Sequence, residues 1–289
     1  MPANADSVFL ARSEGISAEG VRDQYADGKA AKVWEVFIGD KRSRTDNYKK
    51  FLVDMLKQKG CKRLLDVACG TGVDSIMLLE EGFEVVSVDA SDKMLKYALK
   101  ERWSRRKEPA FDKWVIEEAN WLTLYDNIKP LIGDGFDAVI CLGNSFAHLM
   151  DSFGDQREQK QAIKNFEKCL KPKGFLLIDH RNYDSIISSG STPAKALYYN
   201  PGHMADIKTS VLYYCGKPAM VTLDYLIEAN NEINEFRLSY YPHELKIFQR
   251  ILHEVFGERA KYTLYGDFKP LNAIENPAFY IHVVEKATN

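Results

Sequence analysis

Between Cys61 and Arg181 the chain alternates short apolar runs with segments of helical periodicity, and few architectures accept that order. CKRLLDVAC reads as a buried strand, GTG as a glycine turn and VDSIMLLEEG as a helix. FEVVSVDAS and DKMLKYALKERWSRRK repeat the unit. WVIEEANW is a third strand, FDAVICLGNS a fourth and DQREQKQAIKNFEKCL a helix; after the turn KPKG comes FLLIDHR, a fifth strand. Strands separated by helices pair in parallel through right-handed crossovers, which place helices on both faces of one sheet. The expected fold class is therefore α/β, a doubly wound and mostly parallel sheet.

The flanks read differently. Residues 1–60 form an N-terminal arm and helices, GKAAKVWEVFIGD and RTDNYKKFLVDMLKQKG, with apolar residues at spacings of three and four and Gly60 as a stop. From about Lys208 the texture is antiparallel: two β-rich runs around a Gly-Lys-Pro turn, followed by EFRLSYY. Pro242 opens a helix, and AKYTLYGDF and AFYIHVVEK are two last strands, bringing the main sheet to seven. The organisation expected is an α/β core over 61–181, a small antiparallel lid over 182–240 inserted after strand five, and a C-terminal segment over 241–289 that completes the core sheet.

Charge and cysteine content narrow the function classes. The formal net charge of −2 provides no basic field for nucleic acid. ERWSRRK, the densest basic cluster, reads as a solvated helix face. Five scattered cysteines without a C-x-x-C pair fit reduced thiols in a reducing compartment. The N-terminus lacks the apolar core of a signal peptide and no run reaches membrane-spanning length, so a cytoplasmic protein that binds neither membrane nor nucleic acid is expected. The six histidines show no ligand spacing, and no metal is expected.

In doubly wound sheets ligands bind beyond the carboxyl ends of the strands. Gly70 with Gly72, Asp89, Asn120, Gly143 with Asn144, and Arg181 all fall there. Gly70-x-Gly72 begins a dinucleotide fingerprint, but Ser75 stands at the third glycine position. Asp89 lies nineteen residues after Gly70, where a carboxylate meets ribose hydroxyls. That position serves a nicotinamide dinucleotide and S-adenosylmethionine alike. Asp74, at the start of the helix, and Asp66, before the loop, both oppose a pyrophosphate; a sulfonium cation tolerates them. The methyl donor is favoured. Arg181 closes an oily strand and needs a partner, either a ligand carboxylate or a salt bridge with Asp179 or Asp184.

LLDVACGTG, VDAS, EEANW, CLGNSFAHL and LKPKGFLLIDHRNYD resemble the seven-strand S-adenosylmethionine-dependent methyltransferases. With DQYADGKAAKVW, MVTLDY, FRLSYYPH and GDFKP added, the chain is similar over nearly its whole length to the glycine N-methyltransferase family. The resemblance implies a Rossmann-like methyltransferase fold and methyl transfer from S-adenosylmethionine to glycine, giving sarcosine and S-adenosylhomocysteine. It implies catalytic or acceptor roles for Tyr25, Asn144, Arg181, Tyr199, Tyr225 and Tyr240. It implies cofactor contacts from Ser7, Tyr25, Trp34, Arg44, Ala68, Gly70, Asp89, Asn120, Trp121, Leu142, Gly143, Asn144, Ser145, Arg181 and Tyr225. Arg44 would pair with the methionine carboxylate, and Asn120 and Trp121 would flank adenine by hydrogen bond and ring contact. The Asn144 carbonyl would hold the acceptor amine, and Arg181 its carboxylate. Asp89 read plainly is a helix cap, Trp121 a core residue and Asn144 a turn residue, and His148 reads as a structural or hydrogen-bonding residue. The family implies a homotetramer and inhibition by methylfolate polyglutamates. Phe37 stands where the family has a tyrosine, the lid connection at EANNEINE is short, and the N-terminal arm is slightly longer. Two further readings stay open at this point: a methyltransferase for another small amine or carboxylate, and a non-catalytic S-adenosylmethionine- or folate-binding protein.

Overall fold

A computed structural model describes Gly28 and residues 45–193, 197–198, 204–229 and 232–288. Ser7, Tyr25, Trp34, Phe37, Arg44 and Tyr199 lie outside the described residues.

Strands β1 (Arg63–Asp66), β2 (Glu84–Asp89), β3 (Val115–Glu118), β4 (Phe136–Cys141) and β5 (Leu170–Arg181) form the parallel block. Strands β9 (Lys261–Gly266), β10 (Lys269–Pro270) and β11 (Phe279–Glu285) extend it antiparallel. The sheet has eight strands in the order β10-β9-β11-β5-β4-β1-β2-β3, one more than the seven expected. The extra strand is the two-residue β10, too short to leave a periodic signal. Along the chain, β1 leads outward to β2 and β3, and β4 then returns to the other side of β1. The C-terminal ends of β1 and β4 thus flank the switch point, where a crevice opens.

Side-chain alternation builds two cores from one sheet. Leu64, Ala138, Phe175 and Leu177 face a layer that includes Tyr48, Trp114 and Phe279. Leu65, Val139, Leu176 and Ile178 face one that includes Trp121, Phe146, Phe166 and Phe248. Helix α1 (Asp46–Gln58) starts on Thr45, whose hydroxyl accepts from the Tyr48 amide, and ends before Gly60 at φ 67°. Helices α2 (Val73–Glu80) and α3 (Asp92–Ser104) carry the first two crossovers. Helices α4 (Arg157–Cys169) and α6 (Leu245–Phe256) pack together over the second core, and α5 (Tyr183–Ser189) follows β5.

A separate three-stranded antiparallel sheet follows, β6 (Met204–Tyr214), β7 (Lys217–Ala229) and β8 (Glu232–Tyr240). It begins before Lys208, and its first turn centres on Cys215–Gly216 rather than on Gly-Lys-Pro. Both turn residues have positive φ, 49° and 75°, as a two-residue hairpin requires, and Lys217 is already in the strand. KPKG is likewise absorbed into β5 as an irregularity with Lys173 at φ 64°. Pro242 precedes α6 by more than a cap's width, since the helix begins at Leu245.

Gly72 shows how tightly the glycine turn is built. Its φ is 87°, and a Cβ there would lie 2.7 Å from Cη2 of Trp114 and 3.0 Å from Cβ of Ala98. The close approach that fixes this glycine is therefore helix against indole. Gly72→Ala is expected to lower stability by about 2–4 kcal/mol, from backbone strain plus overpacking, as read by urea unfolding.

Candidate active site

The glycine turn is fastened from beneath. Asp89 Oδ2 accepts from the Gly70 amide (2.9 Å) and Oδ1 from the Ser91 amide (2.9 Å). Ser91, not Asp89, caps α3, its hydroxyl accepting from Met94. Asp89 is half-buried at the mouth of β2 and holds Gly70 from there. Asp66 is buried and supported by a chain of donors. Trp114 Nε1 donates to Ser87 Oγ (2.7 Å), which lies 2.7 Å from Ser75 Oγ, which donates to Asp66 Oδ2 (2.6 Å). Ser75, out of place as a third glycine, thereby acquires a role that the sequence pattern did not disclose.

Burial, then repulsion from Asp74, pushes the Asp66 carboxyl up to about 7. Burial also raises Asp179 to about 7, against hydrogen bonds from Tyr198 and the Asn144 and Gly143 amides. The crevice floor is thus rich in carboxylates, a setting that favours a cation over a phosphate.

Around the switch point β4 exits through Gly143 (φ 77°) and Asn144 (φ 63°). Their two amides point at Asp179, with Gly143 N donating to Oδ2 (3.2 Å) and Asn144 N to Oδ1 (2.9 Å). This is a backbone nest closed on an internal carboxylate. Among the described residues, a Cβ on Gly143 would have only the Ser145 hydroxyl within 4 Å, at 3.9 Å. Ser145 Oγ donates to the Leu142 carbonyl (2.8 Å) and stiffens the same turn. Tyr198 adds a short hydroxyl bond to Asp179.

Asn144 is tied to its neighbours. Its Oδ1 accepts from the Arg181 amide (3.0 Å) and lies 3.1 Å from the Tyr183 hydroxyl, itself 2.9 Å from Nδ2. Only 3% exposed, Asn144 positions Arg181 and Tyr183. Trp121 is tied to the protein in the same sense. The indole is buried, donates to the Val67 carbonyl (2.6 Å), and lies stacked against Phe146 at 5.6 Å. Its ring is spent in the core, and it reaches the site by holding the chain just after β1. Asn120 Oδ1 accepts from the Leu122 amide (2.9 Å), and Ala68 is half-buried beside the turn. His148 is half-buried, and desolvation pushes its imidazole down to about 4, which keeps it neutral beside the Tyr240 ring.

Arg181 answers the question its position posed. Among the described residues neither Asp179 nor Asp184 pairs with it: Asp179 serves the Gly143–Asn144 nest, and Asp184 accepts from the Leu245 amide (2.9 Å). Its guanidinium carbon lies 4.8 Å from the Phe279 ring centre, and its buried Nε has no acceptor among the described residues. Burial opposes the cation, and the phenol oxygens of Tyr225, Tyr240 and Tyr183 outweigh it. Tyr225 and Tyr240 hydroxyls lie 3.1 Å apart. Arg181, Asn144, Tyr225 and Tyr240, all named from the sequence, are therefore gathered at one end of the sheet; Tyr183, Tyr198 and Asp179 join them.

A family profile described as a methyltransferase domain matches residues 58–252. Rat (Rattus norvegicus) glycine N-methyltransferase is 58% identical over 97% of this chain and 99% of its own length. The chain belongs to the glycine N-methyltransferase family. The human (Homo sapiens) member is 55% identical over the same shares, and a glycine/sarcosine N-methyltransferase from Halorhodospira halochloris is 34% identical over 91% of this chain and 89% of its own. Among solved structures, an S-adenosylmethionine-dependent methyltransferase from Clostridium acetobutylicum superposes with a TM-score of 0.63 at 15% identity, covering 90% of this chain and 99% of its own. An amino pentose methyltransferase from Micromonospora echinaspora with S-adenosylmethionine bound gives 0.53 at 14% identity, covering 89% and 96%. The fold is that of the S-adenosylmethionine-dependent methyltransferases.

Titration of Asp66 offers a test of the carboxylate-rich floor. Its folded value lies above the unfolded one, so the native ligand-free protein binds more protons between about pH 4 and 7. The stability this group contributes is present below about pH 4 and is lost as pH rises through 7. Asp66→Asn mimics the protonated form and keeps an acceptor for Ser75. Its stability relative to the parent should rise by at least about 1 kcal/mol from pH 4 to pH 8, measured by denaturant unfolding across that range.

Proposed function

We propose that the protein transfers the methyl group of S-adenosylmethionine to the amine of glycine. The amine lone pair forms the new C–N bond as the C–S bond breaks in line, the electron pair stays on sulfur, and the amine proton passes to water. The products are sarcosine and S-adenosylhomocysteine. The observation that carries this reading is Arg181: a partly buried guanidinium without a carboxylate partner among the described residues, at the strand end beside the switch point. A planar fork grips both oxygens of an amino acid carboxylate and leaves its amine free. The names of the 55–58% identical relatives support the same substrate.

In this reading Asp89 takes the ribose hydroxyls, Asn120 and Ala68 border the adenosine, and Leu142, Gly143 and Ser145 line the approach between donor and acceptor. The acidic floor of Asp66 and Asp179 favours the sulfonium over the neutral thioether product. Tyr225 and Tyr240 turn phenol oxygens toward the cationic centre. No residue has to act as base, because glycine binds after losing a proton to water. Alignment and desolvation supply the rate, worth roughly 7–11 kcal/mol. The cytoplasmic setting, the homotetramer and inhibition by a methylfolate polyglutamate are carried as proposals from the family resemblance. Among the described residues no helix is long and apolar enough to cross a membrane.

Purified protein with S-adenosylmethionine should release S-adenosylhomocysteine with glycine and far less with larger amines. Sarcosine is the informative comparison, since the 34% identical relative is named for both acceptors. Turnover with another amine but none with glycine would sink the assignment. Glycine should bind weakly, near millimolar, because a ligand of about five non-hydrogen atoms gains at most roughly 7 kcal/mol. Arg181→Lys should raise the KM for glycine about 10–100-fold and change the Kd for S-adenosylmethionine less than about threefold. Equal losses in both would mark Arg181 as structural.

A further inference from the structure

The last residue of β5 has lost its neighbour. β4 pairs with β5 only as far as Cys141 opposite Ile178. On the other side, Arg181 stands opposite Phe279 of β11, while the ladder bond at this end runs from Asn182 N to Ala278 O (2.9 Å). The N–H and C=O of one strand residue point to the same side. Both polar groups of the Arg181 peptide therefore face the side where β4 has ended. Two side chains take the place of the missing strand. Asn144 Oδ1 accepts the Arg181 N–H (3.0 Å), and His180 Nδ1 lies 2.7 Å from the Arg181 carbonyl.

That second bond fixes a tautomer. A carbonyl only accepts, so Nδ1 of His180 carries the hydrogen. His180 is fully buried, packed edge-on to Phe248 at 4.8 Å, and among the described residues no carboxylate hydrogen-bonds its ring, so it is neutral and its Nε2 is a bare acceptor. His282, on β11, lies 3.0 Å away Nε2 to Nε2 and must donate. It is 4% exposed and stacks on His180 with ring centres 5.1 Å apart. Were His180 to hold its hydrogen on Nε2 instead, a lone pair would face the Arg181 carbonyl.

We propose that His180, with its tautomer fixed by His282, is a positioning residue that holds the Arg181 peptide and so aims the guanidinium at the acceptor carboxylate. The proposal rests on the reading of Arg181 given above. Neither histidine touches substrate; both act through the strand end.

Four variants separate this role from packing. His180→Leu removes the donor; His180→Asn places an amide nitrogen where Nδ1 stood. His282→Leu removes the donor that sets the tautomer; His282→Gln places one where Nε2 stood. His180→Leu should raise the glycine KM about 10-fold or more with the S-adenosylmethionine Kd within about threefold, and His180→Asn should recover most of that loss. His282→Leu should move glycine KM in the same direction and His282→Gln should not. In the parent protein, ¹⁵N spectra should show His180 protonated at Nδ1 and bare at Nε2. The idea is overturned if His180→Leu folds with an unchanged glycine KM, if the leucine and asparagine variants are equally impaired, if both ligands weaken in parallel, or if the spectra show the opposite tautomer. An unchanged KM in Arg181→Lys would overturn the carboxylate role and this proposal together. A raised KM in Arg181→Lys beside an unaffected His180→Leu would overturn this proposal alone.

Discussion

The carboxylate of Asp179 holds the two sides of the crevice together. It follows the apolar run Phe175–Ile178 of β5 and accepts from both amides of the turn that ends β4 and from Tyr198. Without it, the buried N–H of Asn144 would be left unpaired, at a cost of about 1–3 kcal/mol, and the Gly143 turn would lose its anchor. With it, the exit of β4 is locked to the body of β5, and three consecutive residues of β5 divide the work. Asp179 faces one side of the sheet and builds the turn, His180 faces the other and is buried, and Arg181 returns to the first side at the crevice.

How far this was legible in the sequence follows from how local each feature is. The parallel block, the switch point and the residues at its strand ends could be read because hydrophobic periodicity and glycine turns are local signals. Strand β10 was not, because two residues carry no period. The Cys215–Gly216 hairpin was misplaced because the Gly-Lys-Pro sequence imitates a turn, while the left-handed backbone of Cys215 leaves no mark in residue type. The partners of Arg181 were likewise beyond reach. Asp179 and Asp184 lie close in sequence, and only three-dimensional pairing shows that each is committed elsewhere.

Trp121 and Asn144 mark the difference between being near a site and facing it. Both were picked out by position, and both lie where expected, yet each spends its polar atoms on the protein. Trp121 holds Val67 and Asn144 holds Arg181. The chain from Trp114 through Ser87 and Ser75 to Asp66 does the same for the glycine turn. The ligand-facing surface is thus thin, supported by a layer of buried donors that sequence motifs do not encode.

The two halves of the crevice differ in the sequence separation of their ties. Gly70 and Asp89 are 19 residues apart and Asp66 and Ser75 only 9. Beside Arg181, His180 meets His282 across 102 residues. Longer loops cost more entropy to close and are the first to gain it when opened. Partial opening under mild denaturant or heat is accordingly expected to release the grip on the amino acid while the adenosine cradle persists, leaving a molecule that has forgotten its acceptor before its donor.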